Sequence, residues 1–290
     1  MELELKRGGR TARVETLGGE LVSYRDERGL EYIWGGDPAY WPGRNPLLFP
    51  IVGTLKEGKI RFDGREYAME RHGFARRREF TPAARGEDWV RLELRESAET
   101  LALYPYPLAV EQRLTDTGFS TAVTVANPGE GPLPFCLGAH TGFRCPLEAG
   151  ERFEDYELVF PERESCPTLL LRDGLLDRPA ALPYLEDTDT LPLDYRWFDA
   201  LDTLIFEGLR SRSVTLRSRK SGRGVRVSFD GFPMLAFWTM PGKKAPYLCI
   251  EPWHGCAAGT AEGPEFTDKA HCIVLAPGES RTLAYRADTL

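Results

Sequence analysis

Apolar residues in this chain recur at every second position in short runs, and almost nowhere at every third or fourth. Val90, Leu92 and Leu94 alternate with Arg91, Glu93 and Arg95. Val110, Gln112 and Leu114 repeat the pattern, and Phe119, Thr121, Val123 and Val125 line one face of the next run, which Asn127-Pro128-Gly129 ends. Val214 and Leu216 turn through Ser221-Gly222-Arg223-Gly224 into Val225, Val227 and Phe229. A period of two puts successive side chains on opposite faces, which is the signature of a half-buried strand. Shorter strands are predicted at Leu21–Tyr24, after the Gly18-Gly19 turn, and at Glu31–Trp34, before Gly35-Gly36. A hairpin of Ile273–Leu275 and Thr282–Tyr285 around Pro277-Gly278 closes the chain. Ser97 caps one short turn through Leu103. Many strands at close spacing, with Gly/Pro turns and no repeat or linker, predict an all-β fold. The expectation is one large antiparallel β-sandwich domain over residues 1–290.

Charge and termini narrow the partners. The 290 residues carry a net charge of −7, which disfavours nucleic acid and anionic membranes, since both require a basic surface. The N-terminal MELELKRGGR has no apolar signal region, and no apolar run approaches the ~18 residues of a membrane span. The six cysteines (136, 145, 166, 249, 256 and 272) form no CxxC pair, so free thiols in a cytoplasmic protein are expected.

Four stretches break the alternation. YLCIEPWHG (247–255) places three apolar residues before Glu251, as in a strand buried on both faces. Pro252 then marks a point where strand pairing is expected to stop. A carboxylate buried there has its pKa raised toward that of a usable base; the alternative is a strand-end Glu paired with an arginine. RNPLLFPIVG (44–53) reads as a buried, irregular edge segment. RHGFAR (71–76) and LGAHTGFRCP (137–146) each set a histidine beside glycine, an aromatic residue and arginine. A lone histidine in a β protein is commonly structural, but three of the four fall in these stretches with Glu251. One carboxylate with one or two histidines is an acid/base set. No GxSxG, HExxH, phosphate loop or dinucleotide fingerprint is present, and no second carboxylate pairs with Glu251 as a glycosidase requires. No cofactor and no metal are therefore expected, although His72, His140 and Glu251 could converge as ligands.

The segments NPLLFPIVG, HGFAR, LYPYPL, GAHTGF, DTLIF and CIEPWHG occur in the order and rough spacing of the aldose 1-epimerase (galactose mutarotase-like) family, and the chain most resembles its bacterial branch of uncertain substrate. The resemblance implies a supersandwich with an open sugar cleft and cofactor-free interconversion of α and β anomers. It gives Glu251 the role of base on the anomeric hydroxyl, His140 that of acid on the ring oxygen, and His72 that of a hydrogen-bond partner to the sugar. Asp202 matches an acidic residue that binds ring hydroxyls, with Asp199 close enough to be the alternative. Phe74, Phe143 and Trp253 are candidate stacking walls; for each the alternative is plain core.

A related branch acts on hexose 6-phosphates and holds the phosphate with arginines. Arg76 matches one of them. The other falls at Pro42, with Arg44 two residues later, so Arg44 is a candidate for the same contact. The motif around His140 lacks the aromatic-Asn ending typical of galactose mutarotases. A free aldose is thus ranked just ahead of a sugar phosphate, with a non-catalytic sugar-binding module as the rival from another class. Monomer and homodimer are both compatible with the sequence.

Overall fold

The computed structural model describes residues 1–94 and 107–290. The Ser97–Leu103 turn and the first four residues of LYPYPL lie outside the described residues.

The period-two runs become the strands Trp89–Leu94, Leu108–Leu114, Gly118–Ala126, Ser213–Ser218 and Gly224–Ser228. They belong to one antiparallel sheet of fifteen strands. At one end of that sheet lie Leu47–Leu48, Leu137–Ala139, Tyr247–His254, Met234–Trp238 and Thr203–Glu207, in that order; Ser280–Thr289, Gly118–Ala126, Leu108–Leu114, Trp89–Leu94 and Thr81–Arg85 form the other. The N-terminal strands Glu2–Arg7, Arg10–Glu15 and Glu20–Arg25 make a separate sheet. One hydrophobic cluster buries Leu235, Phe237, Leu248 and Ile250 from the first end together with Val90, Leu92 and Val125 from the second. The two ends therefore face one another as the layers of a sandwich.

Several predicted elements come out differently. Glu31–Trp34 is not a strand but two isolated bridges, Arg25 to Glu31 and Ile33 to Phe143. The Glu31 carboxylate accepts from the backbone N–H groups of Tyr24 and Ile33 and from the Ser23 hydroxyl, replacing ladder bonds with side-chain ones. Ile273–Leu275 does not pair with the last strand. It pairs with Leu133–Phe135, while Ser280–Thr289 pairs with Gly118–Ala126. Asn127 holds the two apart by donating its side-chain N–H to Leu275 and exchanging backbone bonds with Gly278 and Glu279. The chain also contains a long hairpin of Tyr156–Arg172 and Leu175–Pro192, turned at Asp173-Gly174 with both φ values positive (52° and 77°).

The Tyr247–His254 strand is buried at every position but its last. Its even-numbered residues Leu248 and Ile250 enter the main core. Tyr247 and Cys249, on the opposite face, pack with Trp34 and Ala245, against which Tyr40, Trp41, Trp238 and Met240 rest. Glu251 continues that second row. Pairing does not stop at Pro252, as the sequence suggested. Leu235 still partners Pro252, and Met234 partners Trp253. The interruption is in the neighbouring strand, between Leu137–Ala139 and Thr141–Arg144. Register is the same on both sides of that gap, so His140 stands across from Glu251. Proline has no N–H to give, and the ladder opens where Pro252 passes.

Candidate active site

Two segments of the sheet and one turn deliver the acid/base groups. His140 Nε2 lies 3.3 Å from Glu251 Oε1, with the Glu251 side chain almost wholly buried. His72 approaches edge-on, its ring centroid 5.9 Å from that of His140. His72 has φ 70° and Gly73 φ 68°, two consecutive left-handed residues that turn the chain sharply. A Cβ on Gly73 would meet the Phe49 carbonyl oxygen at 2.3 Å, so only glycine fits. The turn is fixed by the His72 carbonyl accepting from Phe49 and by the His72 N–H donating to Gly53.

The His72 ring sits between two donors. Gly53 N–H points at Nδ1 at 3.1 Å, and Arg71 Nε–H points at Nε2 at 3.1 Å. A neutral imidazole has one acceptor nitrogen, so it satisfies one of these two donors at a time.

Burial dominates the electrostatics. It pushes the Glu251 carboxyl well above the ordinary carboxylate range; Arg71 and the Trp253 indole oppose the shift, and Asp202 adds to it. Burial, followed by the charge of Arg71, brings His140 down to about 3. His72 is also held well below its usual value, by burial first and then by His140, Arg71 and Arg76. Both members of the Glu251–His140 pair are thus driven toward their neutral forms, and together they hold one proton over a wide pH range. His140 Nδ1 is buried and has no hydrogen-bond partner among the described residues. Trp253 brings its indole toward Glu251 without reaching hydrogen-bond geometry; its Nε1 is likewise unpartnered.

The remaining candidate residues divide. Asp202 ends the helix Tyr195–Leu201 with φ 62°, is exposed, and lies close enough to Glu251 to act on its charge. Asp199 instead caps the Gly242 N–H at 2.6 Å. Of the two aspartates, Asp202 is the one that acts on the Glu251 charge. Phe143 offers no surface to a ligand: it is fully buried, on the opposite face from His140 and Gly142. Phe74 packs edge-on to Phe49 within the core. Arg44 turns to the Gly35 carbonyl and to Glu15. Arg76 donates to the Arg71 carbonyl, and Arg77 pairs with Glu70.

Three residues that the fold brings in, Cys249, Trp41 and Trp238, were not among the sequence candidates. Cys249 is two positions before Glu251 on the same strand face, which strand period alone could have shown. Its thiol, Glu251 and His140 present ligand atoms within 4.8 Å of one another, a set that could hold a thiophilic metal. Arg71, one of the arginines flanking His72 in the sequence, is the cation that acts most on Glu251 and His140. Trp41 stacks on His140 (centroids 4.8 Å apart, 30° between planes), and Trp238 meets the same ring edge-on at 5.6 Å.

A family model described as aldose 1-epimerase matches residues 1–287. The chain belongs to the aldose 1-epimerase family. The epimerase is 40% identical over 295 aligned positions to Protein LacX, in both its plasmid and chromosomal forms, from Lactococcus lactis subsp. lactis; the alignment covers 98% of each chain. Among solved structures it is similar to a galactose mutarotase related enzyme from Lactobacillus acidophilus (26% identity, TM-score 0.94, covering 100% of this chain and 97% of that one). It is also similar to a galactose mutarotase-like protein from Lactobacillus casei ATCC 334 (27% identity, TM-score 0.92, all of both chains). The fold of the epimerase is the galactose mutarotase-like sandwich, and the family places it among isomerases acting on carbohydrates. No helix among the described residues is long and apolar enough to cross a membrane.

Proposed function

We propose that this epimerase interconverts the anomers of a free aldose, with Glu251 as general base and His140 as general acid. The cross-strand contact of 3.3 Å between the two groups carries the reading. The anomeric hydroxyl and the ring oxygen are bonded to the same carbon. A base for one and an acid for the other must therefore stand side by side, as this pair does.

In the forward direction Glu251 takes the proton of the anomeric hydroxyl while His140 delivers one to the ring oxygen. The bond between that oxygen and the anomeric carbon breaks, and an open-chain aldehyde forms. The carbonyl end rotates, and the reverse transfers close the ring on its other face. Proton count is conserved throughout, since the pair starts and ends sharing one proton. The charged arrangement needed at the start, carboxylate and imidazolium, is opposed by burial and favoured by Arg71 on the Glu251 side. The His72 ring and the Asp202 carboxylate suit sugar hydroxyls. Arg44 and Arg76 are each engaged by the protein itself, which supports a free sugar over a 6-phosphate.

Anomer exchange followed by polarimetry or NMR tests the assignment. Glu251→Gln keeps the shape and removes the base, so the rate should fall by ~10²–10⁴-fold with the fold intact. EDTA should leave the wild-type rate unchanged. A Glu251→Gln variant exchanging at the wild-type rate would end the base assignment, and chelator sensitivity restored by zinc would recast His140, Cys249 and Glu251 as ligands.

A further inference from the structure

The acid/base pair just described is almost fully covered by neighbouring side chains. His72 is 5% exposed, His140 8% and Glu251 1%. A 650 Å³ groove lined by Phe62, Asn127, Pro132, Leu133 and Phe266 includes none of the three. An anomeric carbon that reaches both groups has to take the place of side chains packed against them.

Two rings cover His140, and they differ in how they are held. Trp238 ends the Met234–Trp238 strand and is locked in register with Thr203 on one side and Cys249 on the other. Trp41 sits in residues 35–46, which belong to no strand. Its backbone is held by local turn contacts instead of a ladder: its N–H donates to the Asp37 carbonyl, and its carbonyl accepts from the Trp34 indole at 2.8 Å. Glycines 35, 36 and 43 bound the segment, and Gly36 has φ 75°. Of the two covers, Trp41 is thus the one that can shift without breaking a sheet ladder.

The indole also has a prepared bed. A Cβ on Gly142 would lie 3.0 Å from the Trp41 ring, a tight contact, so the glycine lets the flat face lie close against the backbone beside His140. Trp238 (5.5 Å, 79°) and Tyr247 (5.6 Å, 34°) complete an aromatic wall. A planar group stacked on the acid occupies the place that a pyranose ring must take, and aromatic faces pack well on the C–H face of such a ring.

We propose that Trp41 is a substrate-displaced cover: in the empty enzyme it shields His140 and Glu251 from water, and on binding it moves aside to become the stacking wall of the sugar. The role expected of Phe74, Phe143 and Trp253 thus falls to a residue from another part of the chain. This rests on the sugar-site reading above, and the test separates the two. Carbethoxylation of His140 by diethyl pyrocarbonate, read by peptide mass spectrometry, reports the cover without any need for turnover. Trp41→Ala should make His140 react faster than in the wild type, while Trp41→Phe, which keeps a flat ring, should react like the wild type. In anomer exchange, Trp41→Ala should raise KM by about tenfold with a smaller change in kcat, as loss of a stacking contact predicts, and Trp41→Phe should restore most of it. Unchanged His140 labelling in Trp41→Ala would overturn the cover, and an unchanged KM would overturn the stacking wall. A wild-type protein that labels as expected but exchanges no sugar would overturn the epimerase reading and leave the cover standing.

Discussion

Glu251 and His140 shape the pH response of stability through opposite shifts, and the signs decide its form. Glu251 has a folded pKa above its unfolded value of about 4.5, and His140 has one near 3 against about 6.5 unfolded. Between about 4.5 and 6.5 the unfolded chain puts one proton on this pair, on the histidine; the folded chain also holds one, on the glutamate. The pair contributes no slope there. Above 6.5 the unfolded pair has lost both protons, so stability falls as pH rises for as long as Glu251 stays protonated in the folded protein, by at most ~1.4 kcal/mol per pH unit. Below 4.5 the unfolded pair holds two protons against one, so stability falls again as pH drops toward 3. His72, depressed as well, adds an acid-side loss that begins near 6.5. Glu251→Gln mimics the neutral carboxyl and should abolish the alkaline fall, while the acid fall, now set by His140 without a compensating carboxyl, should begin near 6.5 instead of 4.5. Urea unfolding of both proteins from pH 5 to 9 would check this; parallel curves above 6.5 would show that Glu251 is ionised in the folded protein.

Elements place these groups, and the turn at His72 is the most exposed to a single substitution. Gly73 combines a positive φ with a Cβ site 2.3 Å from the Phe49 carbonyl oxygen. Gly73→Ala must shift that turn, which also holds the hydrogen bond between Gly53 and His72 Nδ1. A stability loss of roughly 1–3 kcal/mol is expected, measured by urea denaturation, along with a drop in exchange rate; a stable, fully active variant would show that the turn relaxes freely. The glycine after His72 was readable as a sharp turn, and the apolar run 248–250 as a doubly buried strand, because each is a local signal. The placement of His140 opposite Glu251 was not readable, because register between strands more than a hundred residues apart has no local signature. Trp41 was missed for the same reason. It lies in a Gly/Pro-rich stretch that reads as loop, and only the fold lays it on His140. The 17- and 18-residue hairpin strands escaped notice because their prolines, such as Pro161 and Pro167, read as strand ends, whereas the pair absorbs irregularity through repeated register shifts. Tyr195–Leu201, capped by Asp194, is too short for its period to stand out.

At the scale of the whole molecule, charge bears on the choice of sugar. The chain carries a net charge of −7, so a 6-phosphate dianion would approach against the overall field, while a free aldose would not sense it. The local cations Arg71, Arg76 and Arg77 favour the anion, and two of them are committed: Arg77 to Glu70, and Arg76 to the Arg71 carbonyl with Glu20 nearby. For a free sugar, kcat/KM should stay flat as salt is raised from ~10 mM to ~0.5 M, a range over which screening shortens from about 30 Å to a few Å. Arg76→Ala should then affect glucose and glucose 6-phosphate alike. The opposite pattern would be a phosphate ester used in preference, a salt-dependent kcat/KM for it, and a selective loss of roughly 1.5–3 kcal/mol in Arg76→Ala from a missing charged hydrogen bond. That result would make Arg76 a phosphate clamp despite its bond to the protein's own backbone, and would move the substrate from free to phosphorylated aldose.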